Sequence, residues 1–208
     1  MRIGIVGTGN MGAGLARHLA RLGHEVVIAN SRGPGSLVAL ATELGEGVRP
    51  DTPAGAVGNA ELVFLAIPYF TVGEIARSAA PWGGKVVVDL TNYYPGRDGA
   101  ELDPGEESSS VLVAQQLEGA RVVKAFNTIE SRRLAGGARP DAAEDERDAI
   151  FVAGDDEDAK ALVAGLVRDI GFAPVDTGGL GDGGRRQQPG TPVYGAPLTA
   201  AQARAALG

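Results

Sequence analysis

The stretch G-T-G-N-M-G at residues 7–12 constrains this chain more than any other. It comes after the apolar run RIGIV at 2–6 and opens a helical pattern from Met11 through Leu15, Leu19 and Leu22 that stops at Gly23. A second run rich in β-branched residues, EVVIA at 25–29, comes next. Strand, helix and strand within about thirty residues is the size of a βαβ crossover. Glycines in that setting have separate physical uses. Gly7 allows a tight turn out of the strand, Gly9 lets the backbone approach a pyrophosphate, and Gly12 lets the helix pack closely on the strand. The helix start then offers free N–H groups and a positive dipole end to phosphates.

The residues just past the second run narrow the ligand. An acidic residue there would bond the ribose 2′-hydroxyl of NAD and repel a 2′-phosphate. This chain has Asn30, Ser31 and Arg32 instead. Asn30 removes the repulsion, Ser31 can donate a hydrogen bond, and Arg32 can supply a planar charged fork. Gly-Pro-Gly and a further hydroxyl, Ser36, come next. The pattern favours NADP(H) over NAD(H).

The rest of the chain alternates helical and apolar segments. Helices are expected over 36–44, over 51–59 with Asp51 or Thr52 as N-cap, over 71–80, over 108–117 with serines at its start, and over 155–170. Strands are expected over 62–67, 85–90, 121–126, 149–153 and 173–176. Apolar runs without alternation, separated by helices, predict a parallel sheet covered on both faces. The fold class is therefore α/β, a Rossmann-type, doubly wound, mainly parallel sheet. A dinucleotide-binding domain is expected over 1–180. The Gly- and Pro-rich remainder, 181–208, is either a mobile tail or an ordered arm, with a short helix at 198–207 capped by Thr199. Such an arm would pack on a partner subunit, as in a homodimer, or cover the site.

Ligands in sheets of this kind bind beyond the carboxyl ends of the strands. Ile67, Pro68 and Tyr69 lie past one such end and Asn92 past another, so these residues are expected to line the cofactor path. Lys124 interrupts the apolar strand VVKAF, and a buried unpaired charge would be costly. Asn127, just past that strand, has donors and an acceptor suited to a carboxamide or a substrate carbonyl. Both are candidates for catalytic work. His18 and His24 lie away from the crevice and are read as structural. The run Asp155–Asp158 complements a helix N-terminus better than it suggests a metal site.

Composition removes other classes. The 208 residues include no cysteine, so disulfides and thiolate chemistry are excluded, and a reducing compartment fits. A net charge of −7 without a basic stripe argues against nucleic acid. No apolar run is long enough to span a bilayer, and no charged leader precedes the first strand, so a cytoplasmic protein is expected.

The segments MRIGIVGTGNMG, LGHEVVIANSR, VFLAIP, VVKAFNTI and FVAGDDEDAK…GFAPVDTGGL together resemble the deazaflavin (coenzyme F420)-dependent NADP reductase family over roughly residues 1–180. The same core is similar to the cytosolic NADPH-binding domain of six-transmembrane ferric reductases and to the N-terminal half of pyrroline-5-carboxylate reductases. The resemblance implies NADP held by Thr8, Gly9, Asn10 and Met11, with Ser31 and Arg32 on the 2′-phosphate. It also implies hydride exchange with a flat deazaflavin at the carboxyl edge of the sheet. Transfer to such a ring rests mainly on positioning. Reducing a small imine, carbonyl or flavin is the alternative, and it needs a placed proton donor. Lys124, Tyr93, Tyr94 and Ser131 are the candidates for that role. A non-catalytic NADP-binding sensor is the third reading.

Overall fold

Strands β1 (Arg2–Val6), β2 (Glu25–Ala29), β3 (Val48–Pro50), β4 (Leu62–Leu65), β5 (Val86–Asp89), β6 (Arg121–Ala125), β7 (Ala149–Gly154) and β8 (Ala173–Gly178) lie in one sheet. Their order is β3-β2-β1-β4-β5-β6-β7-β8 in the computed structural model, which describes residues 1–207. Residue 208, the last of the tail expected over 181–208, lies outside the described residues. All neighbours pair in parallel except β6 and β7. The chain therefore runs outward in two directions from β1, and the crevice between β1 and β4 is the topological switch point of the sheet.

Helices α1 (Asn10–Arg21), α2 (Val38–Leu44), α3 (Pro53–Gly58), α4 (Val72–Ser78), α5 (Pro95–Asp98), α6 (Ser109–Gln116), α7 (Ser131–Gly136), α8 (Glu157–Ile170), α9 (Asp182–Arg185) and α10 (Ala200–Leu207) complete the fold. Ile3, Ile5 and Phe64 face α1, α2 and α8 on one side of the sheet. Val63, Leu65 and Val87 face α3, α4 and α6 on the other. Strands β1, β2, β4 and β5 thus bury alternate residues in two cores, the reason they read as apolar runs. At Gly4 a Cβ would stand 2.2 Å from the Ala56 carbonyl oxygen, so α3 packs its backbone directly on β1.

Three features depart from the expectations. The short strand β3 has a single buried residue, Val48, too weak a pattern to read. Helix α7, between β6 and β7, is not among the expected helices. It is held by Leu134 in the core, whose carbonyl accepts from His18 Nε2 at 2.7 Å. The antiparallel β6–β7 pair arises because the connection stays at the carboxyl edge, and an apolar run reads the same in either direction. Asp156 caps α8, its side chain accepting from Ala159 N at 2.8 Å.

The C-terminal segment is ordered against its own chain. Val193, Ala200 and Ala203 pack with Phe151 and Val175 in a third core. Ala149 N donates to Leu198 O at 2.9 Å, and Thr199 with Gln202 forms a reciprocal cap on α10. Among the described residues no helix is long and apolar enough to cross a membrane.

Candidate functional site

Two cavities meet along the carboxyl edge of the sheet. The larger, about 760 Å³, runs from the turn after β1 to the loop after β2 and to α4. Gly7, Thr8, Gly9, Asn30, Ser31 and Arg32 contribute to its lining, as do Ala66, Ile67 and Pro68 beyond β4. Gly7 has φ +98°, and a Cβ there would stand 2.2 Å from Ala66 O, so the turn requires glycine. A Cβ on Gly12 would stand 1.9 Å from Gly7 O, which explains the close seat of α1. Above Gly9 nothing lies within 4 Å, so the backbone is open to a ligand. Thr8 Oγ1 is buried without a partner. An open cradle with an orphaned hydroxyl at a helix N-terminus fits the phosphates of a dinucleotide.

The loop after β2 is organised by its own side chains. Asn30 Oδ1 accepts from Arg32 N at 2.9 Å, and Asn30 Nδ2 donates to Ser36 Oγ at 3.0 Å. Ser36 Oγ also donates to Gly33 O at 2.8 Å. Asn30 and Ser36 thus hold the turn, and Ser36 does not reach the cavity. Ser31 and Arg32 stand exposed on the rim, and Arg32 has no carboxylate within 4.0 Å among the described residues. A free guanidinium beside a hydroxyl fits a 2′-phosphate.

The second cavity, about 400 Å³, shares Gly9, Ala66 and Ile67 with the first. Asn10, Met11, Asn92 and Asn127 line it, with Tyr94, Arg97, Ser131 and Tyr194. The two asparagines interlock. Asn127 Nδ2 donates to Asn92 Oδ1 at 3.1 Å and to Gln187 O at 2.9 Å, while Asn92 Nδ2 donates to Asn127 O at 3.0 Å. Asn127 Oδ1 is left buried with no partner. Phe126, between β6 and Asn127, has φ +61°, a strained conformation for a bulky residue, and its ring packs edge-on to Phe64. That kink turns the chain so that Asn127 meets Asn92.

Besides Ser36, three expected site residues lie elsewhere. Lys124 is fully buried and does not line the crevice. Strand alternation points it toward α6, where Nζ donates to Ser110 Oγ at 2.8 Å and Thr91 O at 3.0 Å and lies 3.5 Å from Asp89 Oδ2. Desolvation lowers its pKa, with Asp89 opposing. Asp89 Oδ1 in turn accepts from Thr91 N at 2.8 Å. Lys124 and Asp89 therefore grip the peptide that leads into Asn92. Tyr69 is also turned inward, against Tyr93, and burial pushes its hydroxyl pKa up to about 12. Its neighbour Phe70, half exposed, lines the first cavity instead. Tyr93 donates to Gly99 O at 3.1 Å and is likewise out of the crevice, leaving Tyr94 and Ser131 of the expected proton donors.

Arg97 and Tyr194 join the site without a sequence signal. Arg97 pairs with buried Asp98, donates to Asn92 O at 2.7 Å and lies 4.7 Å over the Tyr94 ring. Tyr194 comes from the C-terminal arm, and its hydroxyl bonds that of Tyr94. Nothing in the Gly- and Pro-rich sequence around it marks it; only the threading of the arm does.

Known proteins share this architecture. Residues 2–93 match the family described as NADP oxidoreductase coenzyme F420-dependent. The F420-dependent NADP reductase of Methanothermobacter marburgensis is 30% identical over 198 residues, covering 86% of this chain and 85% of its own. Metalloreductase STEAP3 of Rattus norvegicus is 29% identical over 179 residues, and this chain spans only 34% of its length. A crystal structure of a hypothetical protein from Sinorhizobium meliloti superposes with a TM-score of 0.83 at 34% identity, over 96% of this chain and 95% of that one. With a reductase matched along most of both chains, and the family's own region spanning the turn after β1 and the loop after β2, this chain belongs to the F420-dependent NADP oxidoreductase family.

Proposed function

We propose that the protein binds NADP(H) across the β1–β4 switch point and exchanges hydride between the nicotinamide and a conjugated-ring acceptor, with deazaflavin coenzyme F420 the first choice. The observation that carries this reading is the continuity of the two cavities through Gly9, Ala66 and Ile67. A dinucleotide laid over Gly9 has its adenosine phosphate at Ser31 and Arg32 and its nicotinamide beside Asn92 and Asn127. Bound NADPH would supply the hydride. Thr8 and the first N–H groups of α1 hold the phosphates, and Asn127 Oδ1 accepts from the carboxamide. Residues 1–180 serve as the NADP-binding domain in this reading, and residues 181–208 as an arm that completes the acceptor side.

A second reading, NADPH-dependent reduction of a small imine or carbonyl, is favoured by the hydroxyls of Tyr94, Ser131 and Tyr194 in the second cavity. NADPH oxidation measured against deazaflavin, free flavins, and panels of imines and carbonyls separates the two. Turnover with deazaflavin is the expected result. Turnover confined to imines or carbonyls selects the second reading, and binding of NADPH without oxidation by any acceptor rejects both in favour of a sensor.

A further inference from the structure

The hydroxyls of Tyr94 and Tyr194 sit together on the wall of the second cavity, brought there from opposite ends of a hundred-residue span of chain. Both side chains are half-buried. Asn92 Nδ2 donates to the Tyr194 oxygen at 3.3 Å, and Tyr94 is the other hydroxyl in contact with it. A phenol has one proton and two acceptor sites. Either hydroxyl can donate to the other, so of the two phenolic protons one joins the pair and the second has no partner in the protein. That proton is left to the cavity. Burial raises the Tyr194 pKa, as does its bond to Tyr94, and the Arg97 charge over the Tyr94 ring opposes both.

We propose that Tyr194 is the proton donor to the acceptor, with Tyr94 as its relay to solvent. This rests on the reading of the same cavity as the site of hydride transfer. The acceptor is then of a definite class, a group in which a C=N or C=O, alone or within a conjugated ring, gains hydride on carbon and a proton on nitrogen or oxygen. The acceptor carbon gains hydrogen with both electrons of the nicotinamide C4–H bond, so the acceptor is reduced and the nicotinamide oxidised. The acceptor's π pair moves onto its heteroatom. That atom takes the Tyr194 proton as the phenolic O–H bond breaks. Tyr94 reprotonates Tyr194 and is itself reprotonated from water.

The arm has a role on this account beyond covering the sheet. Gly195 N donates to Thr128 O at 3.1 Å, and Ser109 N donates to Gln188 Oε1 at 2.9 Å, so the arm is pinned on both sides of Tyr194. A tyrosine that served only to anchor the arm would matter through its ring and its stability, not through a proton.

Tyr194→Phe and Tyr94→Phe separate these roles because the rings remain. The probes are 8-hydroxy-5-deazaflavin and 3,4-dihydroisoquinoline, whose reduction takes up a proton, and the N-methyl iminium of the latter, which accepts hydride alone. Tyr194→Phe should slow single-turnover reduction of the proton-requiring probes by about 100-fold, within the usual range for a general acid. It should change their solvent deuterium isotope effect, because water must then supply the proton, and leave the iminium rate unchanged. Tyr94→Phe should cost less, because water can replace a relay. NADPH affinity, read by fluorescence titration, should stay at the wild-type value in both. Equal rates for Tyr194→Phe and wild type on every probe overturn the proposal, as does an equal loss on all three accompanied by weaker NADPH binding. Wild-type turnover of the iminium alone overturns it while leaving hydride transfer intact. Wild-type protein that oxidises NADPH with none of the probes overturns hydride transfer as well.

Discussion

The phosphate end and the acceptor end of the cleft are built by opposite means. At the phosphate end, Gly7 to Arg32 come from one βαβ unit, and each residue's job derives from its place in that unit. At the acceptor end, Asn92, Asn127 and Tyr194 come from three separate connections and meet only in the folded chain. The first region leaves polar groups without partners among the described residues, as at Thr8 Oγ1 and the Arg32 guanidinium. The second ties its polar groups to one another and leaves over only what a ligand would use, as at Asn127 Oδ1. The contrast teaches that a local binding motif can be placed by chain geometry alone, whereas a dispersed one needs bracing from the core beneath it.

The largest effect should come from breaking that brace. Lys124→Met removes the buried cation that pairs with Asp89 and holds Thr91 O and Ser110. Removing one partner of a buried pair leaves the other charge uncompensated, at about 3–5 kcal/mol. Denaturant unfolding should show a loss of that size. The protein that remains folded should bind NADPH normally and turn over poorly, because the damage lies under Asn92. A loss below about 1 kcal/mol would mean that the acceptor end needs no support from β5 and β6, and the contrast between the two regions would fall.

Arg32→Ala probes the open region with no core involved. Charge-assisted hydrogen bonds contribute about 1.5–3 kcal/mol each, so NADPH affinity should fall roughly 10- to 150-fold. NADH affinity and thermal stability should hold, since Arg32 is exposed and has no ion pair to lose. Equal weakening of both dinucleotides, read by fluorescence titration, would remove Arg32 from the 2′-phosphate.

The difference between the regions also decides how much of each is legible in the sequence. Strands 2–6 and 25–29 are legible because period and punctuation agree: apolar runs bounded by Gly7 and Gly23. The mainly parallel sheet is readable from unalternated runs, and the serine cap at 108 and the acidic start of α8 from local chemistry. Sequence alone misplaces Lys124, because its position in a strand is readable and the side to which that strand turns it is not. Without knowing that Asp89 is its neighbour in register, a lysine in an apolar run points to the crevice as readily as to α6. Tyr69 and Phe70 are adjacent aromatics after Pro68, and only the short helical turn there decides which one faces the core. Tyr194 and Arg97 depend on contacts across 102 and 5 residues with Asn92, and no periodic signal encodes them.

The smallest expected effect tests whether the two regions are independent at all. Asp98 Oδ2 accepts from Tyr94 N at 2.7 Å on the acceptor side, and Oδ1 accepts from Phe70 N at 3.3 Å on the side of the first cavity. Burial alone would raise the Asp98 pKa, but the Arg97 side chain and these two N–H groups outweigh it and hold it below the usual carboxylate range. Because the folded value is the lower one, the stabilisation is complete above the unfolded value and disappears as pH falls through the folded one. Asp98→Asn mimics the protonated form. Arg97 is partly exposed, which discounts the pair, so the variant should be less stable by about 1–2 kcal/mol at pH 6. The gap to wild type should close as pH drops below the usual carboxylate range, measured by denaturant unfolding at each pH. A gap that persists at low pH would mean that Asp98 acts through packing rather than charge. At neutral pH the same variant should weaken NADPH binding and acceptor turnover together by a few-fold, whereas loss of only one would show that the two halves of the cleft move separately.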